Sequence, residues 1–256
     1  MNRTCIFIDL PNLIHTFTDL FARKYELQGN LKVLKAIDFK TLCLTLLPEG
    51  SNLTRAYIYS AKDFLFIPDR EILTDFEKYK KFFLQKRKDA EIVRQVKTEI
   101  KNNGKSLLLE NLHKECKQKT ENINEYFLAL QRLKHKICTE NSKIEFSRFG
   151  EIRYDIINCE YKSEKGVDVN LAVDMIRLSD IYDICILVSG DQDFIPAVQL
   201  IKDKGKNVYI PEFIMSNKTV VYAVSPKLKA CVDGCIKIPF LSAEKFLRNP
   251  VLKKKK

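Results

Sequence analysis

This sequence predicts an α/β fold built on a mainly parallel sheet, and three observations predict it. Short runs of branched apolar residues, Ile184 to Val188 the clearest, take turns with longer stretches whose apolar residues fall at helical spacing. That run is continuously apolar, as in a strand buried on both faces. Strand-like runs also end in carboxylates or a Ser-Gly break, at the sheet edge where open α/β folds bind their ligands.

The first run, Thr4 to Asp9, is a strand, after which Pro11-Asn12 turns the chain into a helix over Leu13 to Phe21. Asp38 is placed to cap a helix from Phe39 to Leu47, halted by Pro48-Glu-Gly50, and Arg55 to Tyr59 is the next strand. From Asp69 to about Thr139 there is no proline and a single glycine, at 104. Lysines and glutamates abound there, and Ile72, Phe76, Tyr79 and Phe83 fall at helical spacing, so two or three long helices are expected. The first can serve as a crossover, whereas about 89–139 exceeds what a βαβ connection needs and reads as a helical insertion. Strands resume at Lys143 to Phe149, and a polar connection leads to Lys165-Gly-Val-Asp168, where a helix opens. After Ile184 to Val188 come a helix from Phe194 to Lys204, ended by Gly205, and a short strand, Asn207 to Ile210. The expected organisation is one domain over 1–240, interrupted by the insertion at about 89–139, and a basic tail over 241–256.

At 256 residues and 45% apolar content the chain can bury a core without staples. Its net charge of +11 favours a polyanionic partner. Eight cysteines without a Cys-x-x-Cys pair, several in apolar strands, read as buried reduced thiols, and with the scattered histidines they lack zinc-module spacing. Asp9 interrupts the first apolar run and no cleavage pattern follows, so neither signal peptide nor membrane span is expected and the protein is expected to be cytoplasmic.

Asp9, Asp168, Asp191 and Asp193 each border a place where a buried element meets a loop or a helix start. If the strands before Asp9 and Asp191 are parallel neighbours, their carboxyl ends share one edge, and the helix opening near Asp168 brings a third carboxylate over it. Each aspartate alone is as well explained as a helix cap. A cluster is not, because crowded carboxylates repel unless a cation offsets them, and such oxygen donors suit Mg2+ or Mn2+. Asn12 is either a turn residue or a companion to bound phosphate or metal-bound water, and Asp174 is a second candidate that is expected to face solvent. Lys97, Lys101 and Lys105 recur on one helical face, which is either solvated or in contact with phosphate.

Ile8-Asp9-x-x-Asn12-Leu13, Lys165-Gly-Val-Asp168 and Ser189-Gly-Asp-Gln-Asp-Phe-x-Pro196, in this order, resemble the NYN domain, specifically its LabA-like branch within the PIN-like nuclease superfamily. The likeness spans about Met1 to Lys86 and Lys143 to Pro239. It implies a PIN-like three-layer α/β/α sandwich and hydrolysis of RNA by an acidic cluster holding Mg2+ or Mn2+. By motif, Asp9, Asp168, Asp191 and Asp193 would be the metal ligands and catalytic acids, with Asn12 as polar companion. Lys165 and Ser189 stand where they could contact phosphate. Where family members usually carry glycine after the first aspartate, this chain has Leu10-Pro11.

The expected activity is therefore a divalent-metal-dependent ribonuclease, with RNA as partner and DNA left open. The alternative is a non-catalytic RNA-binding or scaffold protein that keeps the fold, its helical insertion serving a homo-oligomer or a protein partner. Four retained aspartates favour the enzyme, since an inactive site has no physical need for clustered like charges.

Overall fold

The computed structural model describes all residues except 26, 28, 68–86, 105, 157–159, 215–223 and 249–256. The helix expected around Ile72 to Phe83, Lys105 and the last lysines lie outside the described residues. Two compact units divide the chain, the first formed by Met1–Ser60, Tyr126–Gly150 and Gly166–Lys256, the second by Ala61–Glu125 and Glu151–Lys165.

The first unit holds a six-stranded, all-parallel sheet. Its strands are β1 (Asn2–Asp9), β2 (Ser51–Ser60), β4 (Ile144–Arg148), β7 (Ile184–Val188), β8 (Asn207–Ile214) and β9 (Gly234–Pro239), in the order β4-β2-β1-β7-β8-β9. All five side chains of β7 are buried, the outcome its unbroken apolar run requires.

Side-chain alternation along β1 assigns the two faces. Ile6 and Ile8 enter a core with Leu13, Ile14, Phe17 and Phe21 of α1 (Leu10–Tyr25), Leu42 of α3 (Phe39–Thr45), and Leu130, Leu133 and Ile137 of the long helix α5 (Leu107–Glu140). A short α2 (Asn30–Ala36) adds Val33 and Leu34. Phe7 points the other way, stacking on Tyr57 at 5.4 Å between ring centroids and meeting Tyr182 edge-on. That face is covered by α6 (Val167–Arg177) and α7 (Ile195–Asp203), which bury Leu171, Met175, Val198 and Ile201. Helices on both faces of a parallel sheet give a three-layer α/β/α sandwich, the PIN-like architecture.

Local signals account for the boundaries. Asp38 caps α3 by accepting the N–H groups of Lys40 and Thr41, as expected, an arrangement contributing about 1 kcal/mol. Residues 241–246, the start of the expected basic tail, belong to α9 (Phe240–Ala243) and a 3-10 turn (Glu244–Phe246), with Phe246 fully buried.

In the second unit α4 (Arg87–Asn103) meets the first part of α5 through Glu99, whose carboxylate accepts from Ser106 Oγ at 2.7 Å and the Leu108 N–H at 3.1 Å. Its three-stranded sheet has the order β3 (Asp63–Ile67), β5 (Glu151–Asp155), β6 (Glu160–Lys165). The last two correct the polar connection expected over 151–165. Ile152 and Tyr154 alternate with charged neighbours and both are buried, so a period of two was present beneath a charged surface. Tyr154 donates its hydroxyl to Glu115, and Lys119 Nζ stands 5.2 Å from its ring centroid. Among the described residues no helix is long and apolar enough to cross a membrane.

Candidate active site

The sheet order creates the site. From β1 the chain moves outward through β2 to β4, then returns to place β7 on the other flank of β1. The crevice at the carboxyl ends of β1 and β7 is thus a topological switch point, where ligands of such sheets bind. Ile8 pairs with Val188, so Asp9 and Ser189 emerge side by side although 180 residues separate them.

Asp9 stands at the centre, only 5% exposed. α1 begins at the next residue, and the carboxylate accepts the Asn12 N–H at 3.3 Å as a helix cap. Pro11 fits the first helical turn, where its missing N–H costs nothing, so Leu10-Pro11 is a helix start with Leu10 fully buried. Ser189 Oγ donates to the other Asp9 oxygen at 2.9 Å and accepts the Asp191 N–H at 3.3 Å, joining the two carboxylate segments. Asp191 in turn accepts the Asp193 N–H at 3.0 Å, which tightens the 3-10 turn Gln192–Phe194. Asp191 is half-buried and Asp193 exposed.

Asp168 approaches from above the sheet, in the first turn of α6. Gly166 precedes it with φ of 87°, a left-handed conformation suited to glycine, and a Cβ there would lie 3.4 Å from the Gly150 Cα. One and a half turns further on, Asp174 is not turned to solvent as expected. It accepts the Tyr59 hydroxyl at 2.9 Å and pairs with Arg177 at 2.8 Å, fastening α6 over the end of β2.

Charge crowding is felt at Asp9. Burial is the main cause that pushes its carboxyl up to about 7, with the negative charges of Asp168 and, less strongly, Asp191 adding to it. The donors Asn12 N–H and Ser189 Oγ pull the other way and lose. A helix cap needs none of this, because an exposed carboxylate caps as well.

Asp168 and Asp191 thus both act on Asp9, and the Asp193 N–H is hydrogen-bonded to Asp191. Among the described residues, no three or more His, Cys, Asp or Glu side chains form a group that could hold a metal ion as they stand. The donor chemistry, carboxylate oxygens alone, fits a hard divalent cation such as Mg2+ or Mn2+. Ser189, expected to contact phosphate, is instead fully buried, with its hydroxyl committed to Asp9 and Asp191. Lys165 is exposed immediately before Gly166, and Lys97 and Lys101 are exposed four residues apart on α4. Sequence reasoning missed Glu212, 4% exposed in β8, although a lone acid within Val-Tyr-Ile-Pro-Glu-Phe-Ile is a legible signal.

No match is found among curated proteins. A crystal structure of a protein of unknown function from Vibrio parahaemolyticus aligns with 16% identity and a TM-score of 0.40 over 96% of each chain. The NYN domain matches residues 93–225, just over half of the sequence, a span that contains Asp168, Asp191 and Asp193 and begins after Asp9 and Asn12. With that match and the switch-point crevice together, the chain belongs to the NYN domain family, within the PIN-like nuclease superfamily.

Proposed function

We propose that this NYN protein, of the LabA-like branch, is a divalent-metal-dependent ribonuclease. The observation that carries the reading is Asp9, a buried carboxylate crowded by Asp168 and Asp191 at the switch point. Capping α1 and the 3-10 turn does not require those like charges to be crowded together, whereas a bound cation would make them favourable.

Asp9 and Asp191 would be the principal ligands, with Asp168 and Asp193 direct or water-mediated ones. When bound, Mg2+ or Mn2+ would supply an activated water and neutralise charge on the phosphodiester. Ser189 holds Asp9 and the Asp191 turn in fixed relation, and the Asn12 N–H orients the remaining Asp9 oxygen. The half-buried Asn12 side chain, three residues after Asp9 in the first turn of α1, would orient substrate or water. Exposed Lys165, three residues before Asp168 in sequence, would contact phosphate.

Labelled RNAs and DNAs incubated with wild type and Asp191→Asn test this reading. RNA cleavage by wild type in Mn2+, stopped by EDTA and absent from a folded Asp191→Asn protein, is expected. Cleavage that survives exhaustive chelation, or full activity in Asp191→Asn, rejects it.

Lys97 and Lys101 of α4, with Lys105 later in the sequence, supply a second test. Reversing Lys97, Lys101 and Lys105 to glutamate is expected to weaken RNA binding and lower the slope of log affinity against log salt by about 0.7 per lost single-strand phosphate contact. An unchanged slope across the titration removes this face from the RNA path.

A further inference from the structure

An ion pair between buried Glu212 and exposed Lys229 stands behind the Asp191 turn. Glu212 lies in the carboxyl half of β8 between fully buried Ile210 and Phe213, and its carboxylate receives Lys229 Nζ from α8 (Pro226–Cys231). Ile186 pairs with Tyr209, and three residues further along the two segments come Ser189 and Glu212. Glu212 therefore belongs to the carboxyl edge that carries Asp9 and Ser189.

The other end of α8 reaches the turn directly. Ser225, at its N-cap, donates its N–H to the Gly190 carbonyl at 2.9 Å, and the Lys229 N–H returns to the Ser225 carbonyl at 2.9 Å. α8 also packs against the 3-10 turn that carries Asp193. The ion pair thus fixes a helix whose first residue grips the peptide linking Ser189 to Asp191. Leu228, fully buried, already seats α8 in the core. For stability alone a carboxylate buried in β8 is a poor choice, since an apolar side chain there would avoid the cost of desolvating a charge. What the pair adds over Leu228 is a fixed rotation and height of α8 on the sheet.

We infer that Lys229 and Glu212 are positioning residues for Asp191 and Asp193, acting through α8 and the Ser225–Gly190 hydrogen bond. The consequence for cleavage rests on the nuclease reading above, while the consequence for the turn does not. Amide hydrogen exchange of the full chain, without metal, reads the second. In Lys229→Met the Asp193 N–H is expected to exchange about tenfold faster while the β1 amides keep their rates, and Lys229→Arg is expected to restore protection. Because Lys229→Met leaves Glu212 buried and unpaired, the double variant Lys229→Met, Glu212→Met is the companion: it is expected to recover stability but not Asp193 protection. In the cleavage assay the Mn2+ concentration for half-maximal rate is expected to rise about tenfold in both, with the plateau rate kept within about twofold. Unchanged Asp193 exchange in the double variant, or acceleration spread evenly over the first unit, overturns the inference. If no variant and no wild type cleaves RNA, the nuclease reading falls and the exchange result still decides this one.

Discussion

Asp9→Asn is expected to reduce RNA cleavage about 10³-fold or more and to leave the fold intact, the loss matching the several kcal/mol of charge stabilisation a metal site supplies. Asparagine keeps the shape and an oxygen that can accept from Asn12 or Ser189, so α1 retains a cap. What disappears is the charge, at the most buried of the four acids. Removing a like charge from beside Asp168 and Asp191 also relieves repulsion, so the variant is expected to unfold at an equal or higher temperature than wild type in EDTA. Cleavage rate and metal-free melting temperature therefore move in opposite directions. A variant that loses activity because it is less stable, with rate recovered on cooling, would make Asp9 a structural cap and end its role as a ligand.

Much of this arrangement was legible in the sequence. β7 announced itself by five consecutive apolar residues closed by Ser-Gly, and Asp38 by its place before an amphipathic run. Asp191 and Asp193 form a local turn, so their relation could be read from adjacent residues. The Asp9–Ser189 contact could not, because it depends on β1 and β7 being neighbours, and strand order is settled by packing of the whole sheet. β5 and β6 were missed because charged residues fill one face of a strand whose other face holds Ile152 and Tyr154. Ser189 was misread for a related reason: a hydroxyl in a turn is usually exposed, and only the neighbouring Asp9 explains why this one is buried. The second unit's lysines carry no such partner logic in sequence, and their exposure on α4 leaves their role to the salt titration.

Metal-free stability is expected to fall as pH rises from about 4 to about 8, by roughly 4 kcal/mol at most, through Asp9 alone. The sign follows from proton binding. Unfolded, the carboxyl titrates at its ordinary 3.8, and folded it is pushed up to about 7, so between those values the folded chain holds the extra proton. The associated stability is fully present below about pH 4 and is lost as pH passes through about 7. Asp183 behaves oppositely: Arg3 holds its carboxyl well below the usual range, so its contribution fades as pH drops below about 4, outside this window. Urea titrations in EDTA at several pH values, on wild type and Asp9→Asn, isolate the difference, and parallel pH profiles would mean that Asp9 is not held protonated. A divalent cation should remove the slope, because a ligand that binds ionised Asp9 competes with the proton for the same oxygens. At pH 8, Mn2+ should therefore raise the melting temperature of wild type far more than that of Asp9→Asn. The energy that makes Asp9 a poor structural residue is the same energy that a cation would recover on binding there.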